Sequence, residues 1–190
     1  MIDAALGQIA SQLNQALRRR FQIAEDLVVL SNILEQDGNI AAHIADKLVV
    51  SLVNIEKETV NMRPPQQSTG ARALVMRPPI CLNLSVLFAA NFSSANYPEA
   101  LKFISSSIGF FQARPVIDQQ NTPDLDARIE KVTLEIQNLS IMELSNLWGI
   151  LSGKYMPSIL YKVRMLTIDS QEISGEVPTI LEPRAVAHAR

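Results

Sequence analysis

Two stretches decide the fold of this chain: NLSVLFAANFSSANYPEALKFI at residues 83–104 and IEKVTLEIQNLSIMELSNLWGILSGKYMPSILYKVRML at residues 129–166. In each, apolar residues first alternate with polar ones, as in a half-buried strand, and then recur at helical spacing. Asn96 with Glu99 and Ser140 with Glu143 fit the capping box that opens a helix. The two stretches therefore predict strands that alternate with helices.

The flanking sequence extends this pattern. Residues 2–21 predict an amphipathic helix, and residues 27–31, 48–55, 80–88, 129–138 and 160–168 predict strands. The run at 48–55 is apolar at nearly every position, as in a strand that is covered on both faces. We therefore predict an α/β fold with two layers, in which helices pack on one face of a mixed, largely antiparallel sheet.

Two segments lack this periodicity. Residues 59–79 contain four prolines and three arginines but no acidic residue, and they predict either a flexible hairpin tip or an arm that orders on a partner. Residues 174–190 predict either a disordered end or a clasp on a neighbouring subunit. We expect a single α/β domain over residues 1–173, with a long loop at 59–79, and an extended C-terminal tail at 174–190.

The composition excludes several classes of protein. A net charge of −2 and an aromatic content of 5% do not suit a dedicated nucleic-acid binder, which needs a basic stripe or stacking platform. Cys81 is the one cysteine, and His43 and His188 are far apart, so we expect no metal site. Asp3 and the arginines at 18–20 do not fit a signal peptide, and no apolar run is long enough to span a membrane. We therefore expect assembly in the cytoplasm and no membrane insertion.

The residue types needed for common reactions do not occur in a usable arrangement. The sequence has no GxSxG elbow, no GxGxxG motif and no Walker-type GK[ST] loop, and neither histidine suits a catalytic triad. We therefore predict that the protein is not an enzyme, with no catalytic residue, cofactor or metal.

The candidate functional residues are instead surface residues for protein contacts. They fall on the polar face of the 129–138 strand, in the basic loop and in the apolar part of the tail: Lys131, Thr133, Glu135 and Gln137; Arg63, Arg72 and Arg77; Val177, Ile180 and Leu181. Exposed sheet edges and extended segments of this kind allow a partner strand to be added.

Longer phrases of the chain resemble the cap, or tail-terminator, proteins of contractile injection systems. The matching phrases are VVLSNILEQDG (28–38), VVSLVNIEKE (49–58), the 83–104 stretch, FFQARPVIDQQNTPDLD (110–126) and IEKVTLEIQNLS through YKVRMLTID (129–169). Residues 59–79 and the tail after Ser174 fall outside the resemblance.

The resemblance implies a structural role. Such proteins form a homohexameric ring at the end of the tube and sheath that is distal to the baseplate, where the ring stops polymerisation and joins the two. The implied partners are other copies of the chain, the tube protein and the sheath protein of the particle, with no cofactor and no nucleic acid. An alternative is an assembly adaptor or chaperone that binds a tube or sheath component transiently.

Overall fold

The structure is a computed structural model that describes residues 1–35, 37–58, 67–69, 72–76, 80–151, 154–167 and 173–178, with backbone only at 67–69, 72–76, 166–167 and 173–178. Three α-helices and nine strands follow one another along these residues: α1 Ile2–Phe21, β1 Val28–Leu30, β2 Lys47–Lys57, β3 Gln67–Thr69, β4 Arg72–Met76, β5 Ile80–Asn91, α2 Tyr97–Ala113, β6 Val116–Asp118, β7 Ile129–Ile136, α3 Ile141–Ile150, β8 Ser158–Thr167 and β9 Ile173–Pro178. Single turns of 3-10 helix lie at Ala42–Ile44 and Ser94–Asn96.

The main sheet has six strands in the order β1-β2-β5-β8-β7-β6. β1 runs parallel to β2, and every other neighbouring pair in this sheet is antiparallel. The prediction of a mixed, largely antiparallel sheet is therefore confirmed. β5 lies near the centre and pairs along most of its length with β2 and β8, because its alternating apolar residues supply a continuous buried face.

Helices α1 and α2 cover one face of this sheet. The inward residues of α1 recur at helical spacing, and Ile9, Leu13 and Leu17 are almost fully buried. They join the same core as alternate residues of β5 and β8. At its centre Phe88 and Tyr161 pack edge to face, with ring centroids 5.1 Å apart. For these two helices, the predicted packing on one face is confirmed.

Helix α3 packs against the opposite face, which differs from the expected placement of all helices on one side. Leu147 and Trp148 form a second core with Val49, Leu87 and Leu160. The cause lies in β2 and β5, whose residues near Val49 and Ala89 are buried on both faces and so need cover on both. The predicted two-sided burial holds for the first half of the 48–55 run, whereas Asn54 and Ile55 are exposed.

A second, three-stranded sheet has the order β3-β4-β9 and is antiparallel throughout. It pairs the predicted loop with the predicted tail: Ala73 lies opposite Val177, and Arg72 opposite Pro178. Each strand lies next in sequence to one strand of the main sheet, since β3 follows β2, β4 precedes β5 and β9 follows β8. The division into a domain at 1–173 and an extended tail at 174–190 therefore stays a prediction. Parts of the 59–79 segment and of the tail form paired strands.

The two predicted capping boxes have different outcomes. At α3, the Ser140 hydroxyl accepts from the backbone N–H of Glu143, and the Glu143 carboxylate accepts from the backbone N–H of Ser140. At α2 the Asn96 side chain makes no capping hydrogen bond, so that box is wrong. Glu99 instead pairs with Lys102 at 2.6 Å, and a 3-10 turn leads directly into the helix.

Candidate protein–protein interfaces

The polar face of β7 is turned away from α1 and α2. Val132 and Leu134 are buried beneath the helices, so the alternate residues Lys131, Thr133 and Glu135 lie on the outer face. A bulge between Ile129 and Lys131 inserts one residue and keeps Ile129 on the core side. Lys131 and Glu135 are exposed, and Thr133 is half-buried. Gln137 follows the strand end, where its backbone N–H donates to the carbonyl of Leu160.

Neighbouring strands extend this outer face into a charged surface. Thr133 lies opposite Arg164 and Glu135 opposite Lys162 on β8, and these two basic residues in turn lie opposite Asn83 and Ser85 on β5. Opposite charges that face each other across strands, as Glu135 and Lys162 do, attract each other modestly. On this face, the contact residues proposed from the sequence all belong to the 129–138 segment. The pairing of β7 with β8 adds Lys162 and Arg164 to this charged surface.

One ion pair orders the centre of this surface. The Arg164 Nε lies 3.4 Å from the Glu58 Oε2, which also accepts from the Asn83 Nδ2 at 3.0 Å. Cys81 lies beside this group and is buried, as expected of a small apolar residue. Burial, and secondarily the charge of Glu58, raises the pKa of the Cys81 thiol. A raised pKa favours the protonated thiol over the nucleophilic thiolate at neutral pH.

The remaining sequence candidates belong to the second sheet or lie outside the described residues. Arg72 and Val177 are on adjacent strands, β4 and β9, where Val177 lies opposite Ala73. Arg63, Arg77, Ile180 and Leu181 lie outside the described residues. The contact role of all these residues stays a prediction.

The exposed side of α3 carries several apolar side chains that sequence reasoning missed, next to the polar Ser145 and Asn146. Ile141, Met142 and Ile150 are 87%, 75% and 79% exposed, and Tyr155, which packs edge to face on Trp148, is 63% exposed. Its one acidic residue, Glu143, is engaged in the capping box. Exposed apolar side chains that lie close together are common at contact surfaces, which makes this side of α3 a candidate interface. The signal in the sequence was a helix with apolar residues on every side.

The two edges of the main sheet differ in accessibility. β1 pairs with residues 48–50 of β2, and beyond Val50 no described strand pairs with that side of β2, which continues to Lys57. The other edge, β6, is capped by the Asn121 amide, which accepts from the backbone N–H of Asp118 and donates to the carbonyl of Val116. A strand side without a neighbouring strand can pair with another chain, so this part of β2, unpaired on that side among the described residues, is a candidate for strand addition.

Two other features were sought among the described residues. They hold no cluster of three or more potential metal ligands. Among the described helices, none combines the length and hydropathy needed to cross a membrane. Three candidate surfaces follow from the preceding geometry: the outer sheet face, the exposed side of α3 and the unpaired side of β2.

Comparison with known proteins agrees with this architecture. Two cryo-EM structures share the fold: the tube-terminating cap of the anti-feeding prophage, with a TM-score of 0.57 at 12% identity, and the PVC sheath/tube terminator of an extracellular contractile injection system in its extended state, with 0.54 at 15% identity. They match 93% and 94% of this chain, which spans 61% and 63% of theirs. No curated protein sequence matches the chain.

A family model matches nearly the whole chain. The model is described as the Pvc16 N-terminal domain, and it aligns with residues 7–182. This match includes both the main sheet and the β3-β4-β9 sheet, so the second sheet lies within the matched region. With the two similar folds, it confirms the resemblance to caps and terminators of contractile injection systems. The chain belongs to the Pvc16 N-terminal domain family.

Proposed function

We propose that this chain is a structural terminator of a contractile injection system, in which it ends the tube and sheath and joins them. The observation that carries the proposal is the family match over residues 7–182, together with a fold shared with a tube-terminating cap and a sheath/tube terminator. In this role the protein turns over no substrate. It acts at the baseplate-distal end of the particle after assembly in the cytoplasm.

The proposed assembly is a homohexameric ring. A ring of identical subunits needs heterologous contacts, in which one surface of a subunit meets a different surface of the next. The charged outer sheet face around Arg164 and the exposed side of α3, with its apolar Ile150, supply two unlike surfaces. We propose that at least one of them lies between neighbouring subunits.

Light scattering and negative-stain imaging of the purified protein test the ring. The variant Ile150→Asp places a charge on an exposed side chain outside both cores, so we expect a folded protein that no longer forms the ring. The matched control is Ser105→Asp, an exposed position on α2, which packs on the opposite face of the main sheet. A sixfold ring in wild type and in the control supports the proposal.

A wild-type monomer needs a second measurement, because a ring can require the tube end as a template. Purified particles are then probed for this chain with an antibody. Its presence at one end supports the terminator. Its absence from finished particles overturns the terminator in favour of a transient adaptor.

We further propose that strand addition joins this chain to the last sheath layer, through the unpaired side of β2 or the tail. Two truncations separate these routes. Removal of residues 179–190 retains β9, whereas removal of residues 175–190 deletes most of it. If residues 179–190 are the link, both proteins fold and cap particles poorly; if residues 175–178 are the link, only the longer truncation caps poorly. Intact particles of normal length from both truncations rule out the tail and leave the edge of β2.

A further inference from the structure

A polar cleft lies beside α1, away from the surfaces described above. It has a volume of about 680 Å³ and lies between α1, the end of α2 and the loop after β6. Gln8, Gln12, Gln15 and Arg19 line one wall, at a spacing that places them on one stripe of the helix. The opposite wall includes Arg114 and Asp124.

Two guanidinium groups of the cleft have no acidic partner among the residues that the structure describes. Within the part of the chain that the structure describes, neither Arg19 nor Arg114 forms an ion pair. The Arg19 Nε donates to the Gln15 carbonyl at 3.2 Å, which leaves its four other N–H groups available. Arg114 lies over the Phe110 ring, with its Cζ 5.6 Å from the ring centroid. Asp124 is the single acidic residue of the lining, so the cleft carries a net positive charge.

The glutamine stripe suits an extended peptide backbone. A glutamine amide both donates and accepts, as the backbone of a strand does. Gln12 is held in place, because its Nε2 donates to the buried Thr122 hydroxyl at 2.6 Å. From Gln8 to Arg19 the helix rises about 16 Å, which is the length of about five extended residues.

From this geometry we infer that the cleft binds an extended, acidic peptide segment of a partner protein. Its carboxylates pair with Arg19 and Arg114, and its backbone follows the glutamine stripe. Charge complementarity selects this occupant, because an arginine fork binds a carboxylate through two parallel hydrogen bonds. The inference does not depend on the terminator role, since any partner with such a segment satisfies it.

Fluorescence anisotropy with a labelled peptide of alternating glutamate and alanine tests this inference. We expect saturable binding that weakens with added salt, and no binding of the peptide with lysine in place of glutamate. Arg19→Gln and Arg114→Gln should each weaken binding about fivefold, as expected for an exposed ion pair. The matched control is Arg20→Gln, because Arg20 is the next residue on α1 and does not line the cleft.

Amide chemical shifts measured during the same titration locate the peptide. Changes at Gln12, Gln15 and Asn121 support the cleft. Absence of saturable binding, equal weakening by Arg20→Gln, or shift changes confined to another surface overturns the inference. Displacement of the peptide by a single-stranded oligonucleotide that binds more tightly also overturns it, since the cleft is then a phosphate site.

Discussion

The side-chain amide of Asn121 pairs with the backbone of Asp118 as an added strand would. Its Oδ1 accepts from the Asp118 N–H at 3.1 Å, while its Nδ2 donates to the Val116 carbonyl at 3.0 Å. The Asp118 carboxylate holds the turn by accepting from the backbone N–H groups of Gln120 and Asn121, each at 3.0 Å. The edge of β6 is thereby closed to another chain.

Asn121→Ala should open this edge. The variant loses both hydrogen bonds to β6, so we expect the free energy of unfolding to fall by about 1–2 kcal/mol. It should also self-associate more, because free strand edges pair with one another. Urea denaturation and sedimentation velocity measure the two effects. Gln120→Ala, an exposed neighbour in the same turn, is the control. Equal behaviour of the two variants would contradict the capping role.

Asn14 joins α1 to the first strand, and Asn14→Ala should weaken this junction. Its Oδ1 accepts from the backbone N–H groups of Leu27 and Val28, at 2.8 and 3.1 Å, and its Nδ2 donates to the Asp26 carboxylate. Both backbone groups belong to buried residues, so we expect a loss of about 2–3 kcal/mol in the free energy of unfolding. Urea denaturation checks the value.

Ser11→Ala is the matched control for Asn14→Ala, because Ser11 is an exposed residue of the same helix. It should leave stability unchanged or raise it slightly, since alanine has the higher helix propensity. A loss below about 0.5 kcal/mol for Asn14→Ala would mean that water replaces the asparagine without cost.

Local patterns explain which parts of the fold could be predicted. α1, β7 and β8 have regular apolar periodicity, and the box of Ser140 and Glu143 spans four residues, so each is visible in a short window. β6 has three residues, too few to show alternation. The pairing of Ala73 with Val177 joins residues about a hundred positions apart, and no local pattern encodes it.

Among the candidate surfaces, too, some could be predicted from a local sequence pattern and others could not. Period-two alternation in β7 correctly placed Lys131 and Glu135 on an exposed face. The periodicity of α3 is less informative, because apolar residues occur on all sides of the helix and do not distinguish the core side of Leu147 and Trp148 from the exposed side. α3 covers the second face of the sheet because β2 and β5 are buried on both faces. That burial depends on tertiary packing, which no local pattern encodes.

The hydrogen bonds between Arg128 and the Asp126 carboxylate should make the free energy of unfolding depend on pH in the acidic range. The Arg128 side chain donates to the Asp126 carboxylate at 2.6 and 3.0 Å, and together with the Arg128 backbone N–H it holds the pKa of Asp126 well below its ordinary value of 3.8. The pKa of Asp126 is lower in the folded state than in the unfolded state. The stabilisation by this carboxylate is therefore complete above the unfolded-state pKa and is lost as pH falls toward the folded-state pKa. Arg128→Gln should raise the pKa of Asp126.

Carboxyl NMR titration measures that pKa in both proteins, and urea denaturation at several pH values measures stability. The stability difference between wild type and Arg128→Gln should be largest above about pH 4 and should shrink at lower pH. Asp37 is an internal control, because its pKa is lowered by hydrogen bonds from Asn39, far from the substitution in sequence. A stability difference that is constant with pH would show that Arg128 acts through packing.

Tyr161→Phe should stabilise the protein. The ring is 2% exposed, and its hydroxyl has no hydrogen-bond partner among the described residues, so burial raises the pKa of Tyr161 to about 12. Phenylalanine keeps the contacts with the Phe88 and Phe111 rings, with centroids at 5.1 and 5.5 Å, and removes the unsatisfied hydroxyl. We expect the free energy of unfolding to rise by about 1 kcal/mol at pH 7.

Alkaline pH provides a second readout for Tyr161. The folded-state pKa lies above the ordinary value of 10, so the wild type should lose stability as pH rises from about 10 toward 12, and Tyr161→Phe should lack this part of the loss. Tyr97→Phe, at a ring that is 50% exposed, is the control and should change neither stability nor its pH dependence. If Tyr161→Phe instead lowers stability by about 1 kcal/mol, the hydroxyl makes a hydrogen bond in solution that stabilises the core.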